Sequence, residues 1–154
     1  MFCGDDCHVP SGGCSGGWST TAIRYVRENG ILFEDCFGYE ASNLDCSSTC
    51  DTKHNIEGFE MIDSDIEAIK HALKTKGPLS ISLVWAVEFD EKGIGRCGDR
   101  SGSGHAVTLV GYNNIEGYWI IKNSWGPYWH DEGYGKIGYG ECKIEIRRRP
   151  FAMK

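Results

Sequence analysis

The sequence predicts an α+β chain in which a cysteine-rich, helix-bearing amino-terminal third precedes a strand-rich remainder. Three observations predict it. Two stretches carry apolar residues at helical spacing and end at glycine; a series of short runs from Leu79 onward alternates between apolar and polar; and the 154 residues include 21 Gly against only 4 Pro, which points to tight turns and close backbone approaches rather than long helices.

The elements follow from their breakers. Residues 19–29 place Ala22, Ile23 and Val26 on one face, with Gly30 as the stop. Residues 31–50 read as irregular chain pinned by cystines. Residues 55–62 read as a strand. A capping box at Ser64 and Glu67 then starts a second helix with Ile66, Ile69 and Leu73 on one face, ended by Gly77-Pro78. Residues 79–85 alternate as a strand. Residues 105–112, a turn at 113–117 and residues 118–123 form a hairpin, and the aromatics Trp119, Trp125, Trp129 and Tyr134 belong to the core before they belong to any site. The boundary between the two regions falls at residues 1–50 and 51–154.

The hairpin carries chemistry. If Tyr112 faces Tyr118, then His105 lies diagonally across from Asn123 on the same face, within side-chain reach. An amide acceptor on one imidazole nitrogen fixes the ring and its tautomer and leaves the other nitrogen free to hold a proton taken from a thiol. Trp125 would cover that hydrogen bond.

Ser15-Gly16-Gly17 after Cys14, Gly104-His105-Ala106-Val107, Lys122-Asn123-Ser124-Trp125-Gly126 and Gly133-Tyr134-Gly135, in that order across nearly the whole chain, resemble the papain-like cysteine peptidases. The resemblance implies a two-lobed fold, here as a remnant of the helical lobe (residues 1–50) plus the antiparallel, barrel-like lobe (residues 51–154). It implies peptide-bond hydrolysis through a thioester, with His105 and Asn123 as catalytic residues and no cofactor or metal. Gly16, Gly17, Trp18, Ser82, Gly104, Ala106, Trp125 and Trp129 would line the substrate site. Gly17 would let substrate backbone lie against enzyme backbone, and Trp18, Ser82 and Ala106 would wall a pocket for an apolar residue before the cut. Trp129 would stack past the cut, although His130 follows it where relatives commonly carry glycine.

The family's nucleophile sits in a C-G-S-C-W type signature preceded by an oxyanion-hole glutamine, and the sequence holds neither. Cys14 matches the later G-C-x-G-G element instead. It precedes His105 by about 90 residues, against the roughly 130 or more that the family places between nucleophile and histidine. The chain therefore reads as truncated at its start, with the thiol supplied by an upstream segment or a second chain.

Eight cysteines imply a disulfide framework and an oxidising compartment, extracellular or lysosomal/vesicular, with any signal segment outside the chain. The resemblance pairs Cys7 with Cys46 and Cys97 with Cys142 and leaves Cys14 without a partner. Cys36 with Cys50 would form an additional bridge, and Cys3 would have lost an upstream partner. A competing reading gathers Cys3, Cys7, Cys46 and Cys50 around zinc in an interaction module. Another keeps the fold as a binding module without catalysis. A net charge of -6 argues against nucleic acid as a partner, nothing points to a membrane, and Arg147-Arg148-Arg149 reads as a solvated tail. The expected partner is a peptide or protein substrate.

Overall fold

The computed structural model describes residues 16–36, 38, 42, 53–144 and 149–154. The chain divides into two compact units, residues 1–59 with Lys154 and residues 60–153. In the first, α1 (Ser19–Asn29) begins after Trp18 without a side-chain cap and ends at Gly30, whose φ of 76° is a conformation that glycine adopts without penalty. Val26 is its one buried residue. Beyond it, Ile31 and His54 bridge through paired backbone bonds, and the Phe33 and His54 rings lie 4.1 Å apart.

The second unit holds α2 (Ile66–Lys76) and the strands β2 (Leu79–Trp85), β3 (Glu88–Phe89), β4 (Ile94–Arg96), β5 (Ser103–Asn113), β6 (Tyr118–Lys122), β7 (Tyr134–Gly138) and β8 (Phe151–Met153), with β1 (Phe59–Met61) at its border. The sheet order is β1-β8-β2-β5-β6-β7-β4-β3. The pairs β2–β5, β5–β6 and β6–β7 are antiparallel, and β4–β7 is parallel. Its core gathers Leu79, Ile81 and Leu83 from β2, Val107 and Leu109 from β5, Trp119 and Ile121 from β6 and Ile137 from β7 under Ile69 and Ala72 of α2. Alternate residues of each strand supply it, as period-two patterning requires. On the other face Ser80, Ser82, Ala106 and Thr108 stay partly or fully accessible.

Four expectations shift. The cap of α2 is Asp65, whose carboxylate accepts the Ala68 N–H at 2.9 Å, rather than Ser64; with two capping residue types adjacent, the carboxylate takes the orphan amide. The strand expected over residues 55–62 contracts to three, because its partner β8 is itself three residues long. Arg149 is solvated as expected but not free: its guanidinium donates to the carbonyls of Met61 and Ile62 and pairs with Asp63 at 2.7 Å, which moors the chain before the buried Pro150. Arg147 and Arg148 lie outside the described residues. Finally, Tyr112 faces Trp119, and Tyr118 faces Asn113.

That last shift has a local cause. Gly111 faces Ile120 while Leu109 faces Ile121, so Val110 is an extra residue, a bulge. Past it the pairing runs Leu109 to Ile121 and Thr108 to Lys122, the register expected for the His105 end. The turn end was one residue off.

Candidate active site

β5 and the end of β6 position the pair. On β5, His105, Val107 and Leu109 alternate onto the core side while Ala106 and Thr108 face outward. Without the bulge Asn123 would stand opposite Thr108, on the outward face; with it, Asn123 shares the face of His105. The His105 Nε2 and Asn123 Oδ1 atoms are 2.8 Å apart. Asn123 is only 8% exposed. Its backbone N–H donates to Gly133 O, and its Oδ1 also accepts the Ser124 N–H at 2.8 Å.

The Ser124 bond settles the chemistry of the pair. A backbone N–H can only donate, so the amide atom facing it must be oxygen, and that oxygen can only accept from the imidazole. Nε2 therefore carries a hydrogen, and in the neutral ring the lone pair resides on Nδ1. Among the described residues no hydrogen bond occupies Nδ1. The arrangement leaves the buried Asn123 Nδ2 without a partner among those residues, a cost of about 1–3 kcal/mol for an unsatisfied donor. The amide is held for its oxygen.

Aromatic rings enclose the imidazole. Trp125 lies 5.1 Å from the His105 ring with its plane tilted by 30°, and Trp85 meets the same ring edge-on at 5.1 Å. Trp85 also packs edge-on against Trp125 at 4.6 Å, and Trp129 stands 5.6 Å from Trp125. Trp125 remains 48% exposed, so it is a lid over the pair rather than core. Trp129 has room because residue 135 is glycine: a Cβ there would fall 2.5 Å from its ring.

The other expected site residues are distributed as follows. Ser82 and Ala106 are register partners across β2 and β5, and Gly104 pairs with Val84. Ala106 also borders a depression of about 400 Å³ with Ser80, Thr108, Lys122 and Ser124. Gly16, Gly17 and Trp18 lie in the first unit just before α1, all exposed. Cys97 and Cys142 form a disulfide with Cα atoms 5.0 Å apart. Cys36 is also disulfide-bonded. Cys3, Cys7, Cys14, Cys46 and Cys50 lie outside the described residues, and with them the Cys7–Cys46 bridge, the unpaired Cys14 and the zinc set.

Two features had no place in the sequence reading. Trp85 is reached only through the pairing of β2 with β5, where Leu83 faces His105 and Trp85 faces Ser103 on the same side. Glu141 braces the disulfide: its carboxylate accepts the Gly98 and Cys97 N–H groups at 3.0 and 2.8 Å, and these bonds hold it below the usual carboxylate range.

The sequence matches the papain family cysteine protease profile over residues 3–152. The chain belongs to that family. It is 37% identical to cathepsin K of Mus musculus over 143 residues, covering 86% of this chain and 43% of the relative, and 32% identical to cathepsin B-like CP2 of Giardia intestinalis over 151 residues, covering 86% and 50%. It thus spans about half the length of the curated relatives it matches. Among solved structures, the Carica candamarcensis cysteine protease CMS1MS2 in complex with E-64 superposes with a TM-score of 0.76 at 28% identity, over 97% of this chain and 73% of that one. The α+β papain-like fold read from the sequence is the fold observed. No helix among the described residues is long and apolar enough to cross a membrane.

Proposed function

We propose that the chain forms the histidine and asparagine half of a cysteine peptidase active site and that the thiol comes from a segment outside residues 1–154. The single observation that carries this reading is the 2.8 Å contact between His105 Nε2 and an Asn123 oxygen whose identity Ser124 fixes. It keeps Nδ1 available as base and acid. In the reaction the thiol passes its proton to Nδ1 and the thiolate attacks the peptide carbonyl. The C–N bond breaks as the imidazolium protonates the leaving amine, and a thioester remains. Water then yields a proton to Nδ1 and attacks the thioester, releasing the acid and restoring the thiol. Asn123 holds the ring throughout, and Trp125 keeps water from competing for the amide oxygen.

In this reading Gly16, Gly17, Trp18, Ser82, Gly104 and Ala106 contact the substrate before the cut, and Trp125 and Trp129 contact it at and beyond the cut. Residues 1–50 belong to the helical lobe and residues 51–154 to the barrel-like lobe. The Cys97–Cys142 bridge supports an oxidising, extracellular or vesicular compartment.

The test is a fluorogenic dipeptide assay with an epoxide thiol probe, run on this chain alone and on the longer protein that includes its upstream segment. The longer protein should show thiol-dependent cleavage that His105→Ala abolishes. Turnover by this chain alone that Cys14→Ser removes would overturn the assignment, because Cys14 would then be the nucleophile. Probe labelling of neither form would favour a binding module.

A further inference from the structure

The rings beside His105 do not stop at Trp129. The next residue, His130, sits 4.5 Å from the Trp129 ring and 4.0 Å from Phe89 of β3, while Phe89 and Trp129 are themselves 6.4 Å apart. The rings of His105, Trp125, Trp129 and His130 thus follow one another at centroid steps of 5.1, 5.6 and 4.5 Å. His130 is exposed, so one side of its ring faces Phe89 and Trp129 and the rest is open to a ligand.

The backbone makes this placement expensive. His130 has φ 44°, in the left-handed region where a side chain is strained and glycine is not. The turn itself asks for glycine; the chain supplies an imidazole. Strain of this kind persists where the surrounding structure holds it, here the Phe89 and Trp129 rings against the imidazole.

Resting on the peptidase reading above, we infer that His130 and Phe89 form an aromatic subsite for the leaving side of the substrate, selecting a large aromatic side chain three to five residues past the cut. His105 protonates the leaving amine, so the departing segment runs over the rings contiguous with it. An extended peptide advances about 3.3 Å per residue, so each ring-to-ring step spans one to two residues and the three steps from His105 to His130 span about three to five. Stacking on a ring that is already supported from behind favours an aromatic side chain over a small one.

The experiment uses the full-length peptidase with internally quenched peptides that differ only in carrying Phe, Ala or Asp at the third, fourth and fifth positions past the cut. The expected result is a Phe over Ala preference in kcat/KM of about fivefold, the range that one aromatic pair supplies. His130→Gly and His130→Asn both suit the left-handed backbone and should bring that ratio close to one. An unchanged ratio in both variants, or a preference that survives in His130→Asn alone, overturns the subsite; so does a preference for Asp over Phe, which would mean recognition by charge. The His105→Ala protein separates the two readings. If no peptide shows turnover that depends on His105, the peptidase assignment fails; if turnover depends on His105 but the ratio ignores His130, only the subsite fails.

Discussion

The two ends of the β5–β6 hairpin are built to different standards. At the turn end Trp119 is fully buried, with Tyr139 4.6 Å and Tyr112 6.3 Å away, and the Asn113 side chain satisfies the amides of Ile115 and Glu116. At the His105 end a buried amide nitrogen lacks a partner among the described residues, a tryptophan is half exposed, and a histidine holds a left-handed backbone. Asn123, Trp125 and His130 follow β6 in the segment before β7, so at this end the strands themselves hold only the imidazole. Packing is closest around Trp119, and compromise accumulates around the His105–Asn123 pair.

Substitutions can break or sharpen that contrast. His105→Ala in the full-length protein should reduce kcat/KM by about ten-thousand-fold, equivalent to about 5.5 kcal/mol, while the urea midpoint barely moves. A large loss of stability would show that the ring is structural. Trp119→Ala at the other end should do the reverse and lower unfolding stability by about 3–5 kcal/mol, measured by urea denaturation, because it empties the best-packed site in the sheet. Asn123→Ala should slow turnover by about a hundredfold yet leave stability nearly unchanged, since it deletes an unsatisfied donor together with the acceptor. If Asn123→Ala unfolds the protein as Trp119→Ala does, the two ends are not distinct.

Two smaller effects calibrate the scaffold. Asp65→Ala should cost about 1 kcal/mol by removing the cap of α2, read as a shift of the thermal midpoint. The pKa of Glu141 is lowered from 4.5 on folding, so its stabilising contribution is complete above that value and disappears as pH falls through the depressed folded value. Glu141→Gln should therefore lower stability at pH 7 by about 0.5 kcal/mol, a modest figure because solvent screens the carboxylate, and the gap to the unsubstituted protein should close in acid.

Much of this was legible in the sequence because it is local. Gly30 and Gly77 end their helices where glycine after an apolar-periodic run says they should, and β2 occupies Leu79–Trp85 as its alternation requires. The facing of His105 and Asn123 could be reached from strand parity only because the expected Tyr112–Tyr118 pairing, one residue off, cancels the one-residue shift at the bulge. The bulge could not: Val110 is a β-former among β-formers, and nothing in its identity marks it as the extra residue. Trp85 and Arg149 escaped for a related reason. Each meets the rest of the fold through strands or loops distant in sequence, and one-dimensional patterning carries no register between them.

The register on the His105 side of the bulge also governs how such a hairpin can vary through descent. Residues added to the exposed turn at 114–117, where Ile115 is 97% accessible, lengthen a loop and leave every strand pairing as it was. Loss of the single residue Val110 would straighten the ladder and still keep Leu109 opposite Ile121, whereas loss of one residue between His105 and Leu109 would turn the imidazole to the far side of the sheet from Asn123. A lineage can therefore change the turn, and even lose the bulge, while the residue count between His105 and Leu109 decides whether the imidazole keeps its amide.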